Sequence, residues 1–161
     1  TMAPGKYAEI QSKPETSLGS GEVPVALIKD IGKRIIEMGV KILLIKMGVQ
    51  GAYLITGDVS AISKKTGSSM EVEKWSKREV WCSVYQADRS KIKHASGAGD
   101  TAVAAFLSAI LDGENPDMTL KYAAMAGRDS LYCEDIFKDM SNWEKLSMEI
   151  KSESIGFIRE Y

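Results

Sequence analysis

Apolar residues recur at helical spacing from Leu27 to Met38, at Leu27, Ile28, Ile31, Ile35 and Met38, with Lys29, Asp30, Lys33, Arg34 and Glu37 on the opposite side. This predicts an amphipathic helix beginning after Glu22-Val23-Pro24, with Gly39 as its stop. Val40 to Ile45 follows as a compact apolar run, of the kind a sheet buries on both faces. A helix feeding such a strand is half of a right-handed crossover, so a parallel, helix-covered sheet is expected. Met47-Gly48-Val49-Gln50-Gly51 makes a turn, from which Ala52 to Thr56 leaves as a second strand. Val59 to Ser63 reads as a short third, Thr66 to Lys77 as polar loop, and Val80 to Gln86 as a further strand. Asp112-Gly113 closes a helix rich in small residues, and Asn115-Pro116 opens the next, whose apolar positions are Leu120, Ala123, Ala124 and Leu131. Ser141 and Glu144 have capping-box spacing before a last helix, Trp143 to Ile150. The stretch Thr1 to Gly21, rich in Gly, Pro, Ser and Lys, has little periodicity and reads as loop.

Candidate chemistry concentrates at Ser96-Gly97-Ala98-Gly99-Asp100, which runs directly into the helix Thr101 to Leu107. Glycines before a helix let the backbone approach a ligand and aim unpaired N–H groups at it, which suits an anion such as phosphate. A carboxylate at the same turn repels that anion unless it has a task, and taking the proton from a hydroxyl that attacks the phosphate is such a task. On these five residues alone, the reading in which Gly99 shapes the turn and Asp100 caps the helix stands equally open.

Composition narrows the field. The chain has 161 residues, 44% hydrophobic and 27% charged, as in an ordinary globular domain. Lys plus Arg number 21 against 22 Asp plus Glu, a net charge of −1 that offers nucleic acid no basic surface. Apolar runs such as Ile42 to Ile45 are too short to span a bilayer, so no membrane partner and a cytoplasmic address are expected. Cys82 and Cys133 lack CxxC spacing and His94 is the single histidine, so free thiols and no zinc site are expected.

Taken in order, these elements and motifs resemble the C-terminal half of the ribokinase-like, or PfkB, carbohydrate kinases over roughly residues 23 to 150. The family's nucleotide turn is similar to Lys46-Met47-Gly48-Val49-Gln50-Gly51 after an apolar strand, and its second signature to Ser96 through Leu107. The run Leu120 to Gly127 and the later Trp143-Glu144 also look like the family's ending. The resemblance implies a three-layer α/β/α fold with a mostly parallel sheet and an antiparallel element after Gly51. It implies ATP-dependent phosphorylation of a sugar or a related hydroxyl compound such as a nucleoside, with Mg2+ accompanying the nucleotide. Asp100 corresponds to the catalytic base, and Gly97, Ala98 and Gly99 to the anion hole. Gly48 and Gly51 border the nucleotide, and the helix around Ala124 and Met125 walls the adenine pocket. Lys46 is counted with the nucleotide-binding residues, although snorkelling to solvent is its plainer role.

Two departures qualify the resemblance. Where the family has an acidic or small polar residue before the signature, this chain has His94-Ala95, which leaves use of a monovalent cation open. Family members are also roughly twice this long, and their N-terminal half supplies the first βαβ units, most sugar contacts and a β lid. The chain is therefore expected to be a C-terminal portion, with residues 1–21 irregular and 22–161 nucleotide-binding. On that expectation it is inactive without the missing N-terminal half, and its homo-oligomeric state is open. A non-catalytic nucleotide- or anion-binding module on the same fold is the alternative, which a carboxylate at position 100 disfavours.

Overall fold

The computed structural model describes residues 23–62, 70–152 and 158–160. The expected N-terminal loop, Thr1 to Gly21, lies outside them. Helix α1 spans Val25–Glu37 and is followed by β1, Ile42–Lys46. A short 3-10 turn, Gly48–Gln50, leads into β2, Ala52–Thr56. A single helical turn α2 (Val72–Trp75) precedes β3, Glu79–Cys82. Then come α3 (Ala98–Leu111), α4 (Pro116–Ser130), the single-turn α5 (Ile136–Asp139), α6 (Trp143–Ser152) and β4, Ile158–Glu160.

The described strands form one sheet in the order β1-β2-β3-β4, and every neighbouring pair is antiparallel. The expected mostly parallel sheet is therefore wrong. Only Met47 to Gly51 separate β1 from β2, so Ile42 pairs with Thr56 and Lys46 with Ala52, whereas a parallel pair needs a crossover of a dozen or more residues. Between β2 and β3 the chain is long enough for such a crossover but is cinched at its ends. Thr56 N–H donates to Arg78 C=O, Lys77 N–H to Gly57 C=O, and Arg78 N–H to Thr56 Oγ1. The Thr56 hydroxyl in turn donates to the carbonyl of Trp75. A wide hairpin results.

Helix α1 covers one face of this sheet, with no described strand before it to complete a crossover. Alternation assigns the faces. Tyr53 and Ile55 of β2 pack with Ile28 of α1, next to Leu43, Ile45 and Trp81. Leu54, Val80 and Cys82 point the other way, onto Trp75, Phe106, Leu120 and Ala123. Both faces are thus covered, giving three layers, α1 on one side and α3 with α4 on the other. The strand buried on both faces is β2, not β1, which stands at the end of the described sheet with its residues half-buried and Lys46 exposed. A second cluster, including Tyr122, Met125, Leu146 and Ile150, binds α6 to the helical layer, where Tyr122 and Trp143 stack at 4.1 Å.

Two local expectations are also corrected. Residues 60–62 are helical rather than strand, with Ile62 N–H donating to Val59 C=O, and Ser63 lies outside the described residues. The cap of α6 is Asn142, whose Oδ1 accepts from Lys145 N–H at 2.9 Å. Ser141 instead donates both N–H and Oγ–H to the buried Asp129 carboxylate. Asn115 does cap α4, accepting from Met118 N–H, with Pro116 in the first turn. Cys82 and Cys133 are buried free thiols. No described helix is long and apolar enough to cross a membrane.

Candidate functional site

The tip of the β1–β2 hairpin is shaped by two glycines with different needs. Gly51 has φ 93° and ψ −147°, and a Cβ there would lie 2.1 Å from the carbonyl oxygen of Cys82. Only glycine lets β3 approach so closely with that backbone. Gly48 has φ 54° but open space where a Cβ would stand. Met47 N–H donates to Gly51 C=O at 2.8 Å and closes the turn.

The second turn is the start of α3. Gly97 is its N-cap, at φ 82°, with Ile136 of α5 against it, and no side chain caps the helix. Thr101 N–H is the first firmly bound amide, donating to Gly97 C=O at 2.9 Å. The amides of Gly99 and Asp100 are therefore first-turn donors left for a ligand, at the positive end of the helix dipole. Asp100 occupies the third helical position, exposed, and no hydrogen bond or ion pair engages its carboxylate among the described residues. It does not cap the helix.

Lys46 links the two turns. Its Nζ donates to the carbonyl of Gly99 at 2.7 Å across 53 residues of sequence, setting a cation beside the uncapped helix. A Cβ on Gly99 would come within 2.9 Å of that ammonium.

Between the turns lies a cleft of about 490 Å³. Of the residues singled out in the sequence, Lys46, Gly48, Gly51, Ala98, Gly99 and Ala124 line it. Gly97 and Asp100 belong to the same turn without lining the cleft. Met125 does not line it either: one residue beyond Ala124 it is turned about 100° around the helix, fully buried in the cluster with Tyr85 and Ala109. The walls also include residues that sequence reasoning gave no place in the site, Ala102, Gly127, Arg128 and Leu131, and the segment Val84 to Ala87 after β3. Their signal is helical phase: Ala98 and Ala102, and Ala123 and Gly127, are one turn apart on facing helices. No carboxylate lines the cleft among the described residues, while Lys46 and Arg128 do. The Arg128 guanidinium is held by Glu149 at 2.8 Å and lies 5.6 Å from the Tyr85 ring centroid. Neighbouring His94 is half-buried, its Nδ1 without a hydrogen-bond partner among the described residues.

A family model for pfkB family carbohydrate kinases matches residues 12–132, and the chain belongs to that family. No curated protein matches it significantly. Among solved structures, Arabidopsis thaliana ribokinase complexed with ribose and ATP is similar at TM-score 0.61 and 22% identity, over 80% of this chain and 35% of that one. A nucleoside kinase from Methanocaldococcus jannaschii, an archaeal member of the ribokinase family, is similar at TM-score 0.55 and 19% identity, over 78% and 33%. Ribokinase from Thermotoga maritima gives 0.55 and 18%, over 77% and 34%. At these identities the likeness is one of fold. The chain spans about a third of the length of the solved structures it matches.

Proposed function

We propose that this chain is the nucleotide- and phosphoryl-handling part of an ATP-dependent kinase acting on a sugar or related hydroxyl compound. The observation that carries the reading is the contact of Lys46 with Gly99, which brings the glycine hairpin and the uncapped helix to one apolar cleft. An uncapped N-terminus with an adjacent ammonium is a fitting donor set for a polyphosphate, and walls of Ala, Gly, Val and Leu suit a purine and its ribose. Gly48, Gly51 and Ala124 border the nucleotide, and Lys46 contributes charge near its phosphates. ATP supplies the phosphoryl group, and Mg2+ accompanies it as a shield for the phosphate charge.

The free amides of Gly99 and Asp100 hold charge that builds on the oxygens during transfer, where a preorganised donor acts most strongly, while of the expected Gly97, Ala98 and Gly99 donors that of Ala98 is drawn back to Ala95 C=O at 3.4 Å. The unengaged Asp100 carboxylate accepts the proton of the attacking hydroxyl. Contacts that select the acceptor come from the part of the fold that the solved relatives contain and this chain does not span. Without them the hydroxyl is not held in line with the phosphorus, and the isolated chain does not turn over a sugar.

Amide chemical-shift mapping with ADP tests the nucleotide site. The expected shifts fall on Gly48 to Gly51, Ala98 to Asp100 and Ala124. Shifts confined to the polar stretch 66–77 would overturn it.

A further inference from the structure

The tip of the hairpin that borders the cleft is held from behind by Gln50. Its carboxamide pairs with both polar groups of one backbone residue: Val23 N–H donates to Oε1 at 2.9 Å and Nε2 donates to Val23 C=O at 3.3 Å. The complementary pair fixes which end of the amide is oxygen. The main chain of Gln50 is held as well, since Trp81 Nε1 donates to its carbonyl at 3.0 Å. Its own N–H donates to Met47 C=O. One residue thus ties the entry to α1, the glycine turn and the edge of β3. Val49 beside it lines the cleft and is 78% exposed, so beyond the turn's own backbone bonds it is the Gln50 side chain that anchors the rim to the rest of the fold.

From this we infer that Gln50 is a positioning residue for nucleotide binding, fixing the Gly48 to Gly51 rim against α1 and Trp81. The inference rests on the nucleotide reading above. Gln50 faces away from the cleft and touches no ligand in this role. Its contribution is to remove the entropy that a loose rim loses when it closes on a base. A two-bond clamp of partly buried amides, each bond worth about a factor of three, sets the expected loss at roughly tenfold in ADP affinity when the side chain is cut back.

The test uses the full chain labelled with 5-fluorotryptophan, whose Trp81 signal is assigned by Trp81→Phe. ADP is titrated into wild type, Gln50→Ala and Gln50→Glu. The last keeps length and the acceptor for Val23 N–H but sets a carboxylate oxygen against Val23 C=O. We expect ADP to move the Trp81 signal in the wild type. In Gln50→Ala, the ADP-free Trp81 signal is already displaced and binding is about tenfold weaker, with the Trp75 and Trp143 signals unchanged. Gln50→Glu behaves in the same direction and remains informative if the alanine variant does not fold. Wild-type affinity in either folded variant overturns the role of Gln50 alone. No ADP response in the wild type overturns the nucleotide reading and the inference with it.

Discussion

Replacing Gly51 with alanine puts two costs on one residue. The backbone sits at φ 93°, ψ −147°, a region that only glycine visits readily, and holding alanine there costs about 2 kcal/mol. The new methyl would also lie 2.1 Å from the Cys82 carbonyl oxygen, which is backbone and cannot rotate away. Relief requires β3 to withdraw beside the Ala52–Cys82 pair, weakening one or two ladder bonds worth about 1 kcal/mol each. The total, about 3–4 kcal/mol, is a large share of the 5–15 kcal/mol that holds a typical domain together. For a chain of this size it corresponds to a fall in Tm on the order of 10 °C. Gly48→Ala is the internal control. It has the positive φ but meets nothing within 4 Å, so only about 1 kcal/mol and a few degrees are at stake. Thermal melts followed by circular dichroism separate the two. If Gly51→Ala melts no lower than Gly48→Ala, the close approach of β3 to the turn is not what requires glycine there.

On the proposed kinase reading, Asp100→Asn, placed in a protein that joins this chain to an acceptor-binding part, is expected to keep ADP affinity while turnover drops by on the order of a hundredfold, read from coupled ADP release and calorimetry. Unchanged turnover would remove Asp100 from the chemistry. Burial pushes the Cys82 thiol up to about 12 from an ordinary 9.0, so in the folded chain it should resist iodoacetamide near pH 8 and react on denaturation. The linked stability runs the same way. It is fully present below pH 9.0, where both states hold the proton, and is lost as pH rises through about 12, a trend that urea melts across that range would detect.

Legibility from sequence followed the range of the forces involved. The Asn115 cap, the stop after Glu37 and the glycine turn before α3 are set by neighbours within a few residues, and each is read directly from the chain. Strand direction is local in that sense only between β1 and β2, where the short turn allows one answer. An apolar run such as Ile42 to Ile45 has the same pattern in a parallel or antiparallel ladder, and the deciding hydrogen bonds of Thr56 with Arg78 and Trp75 lie about twenty residues apart. Ser141 lost the cap of α6 to Asn142 because a buried carboxylate, Asp129, claims it from another helix. Met125 adjoins Ala124 in sequence, but a 100° step around α4 takes it into the core and leaves Ala124 at the cleft wall. The tie from Lys46 to Gly99 bridges separate motifs, so no local pattern announces it.

Where α3 meets α4, a Cβ on Gly127 would stand 3.4 Å from both Ala98 O and Ala102 Cβ. The helices come this near because the contact carries almost no side chain, and the same alanines and glycines form one wall of the cleft. That wall presents methyl groups and main chain, neither of which can be exchanged for a new functional group without prising the helices apart. Changes in what the cleft accepts therefore fall to the rest of its lining, the hairpin tip, the segment after β3, and Arg128 and Leu131 at the end of α4. Evolution or an engineer has one rigid bank and one editable bank to work with.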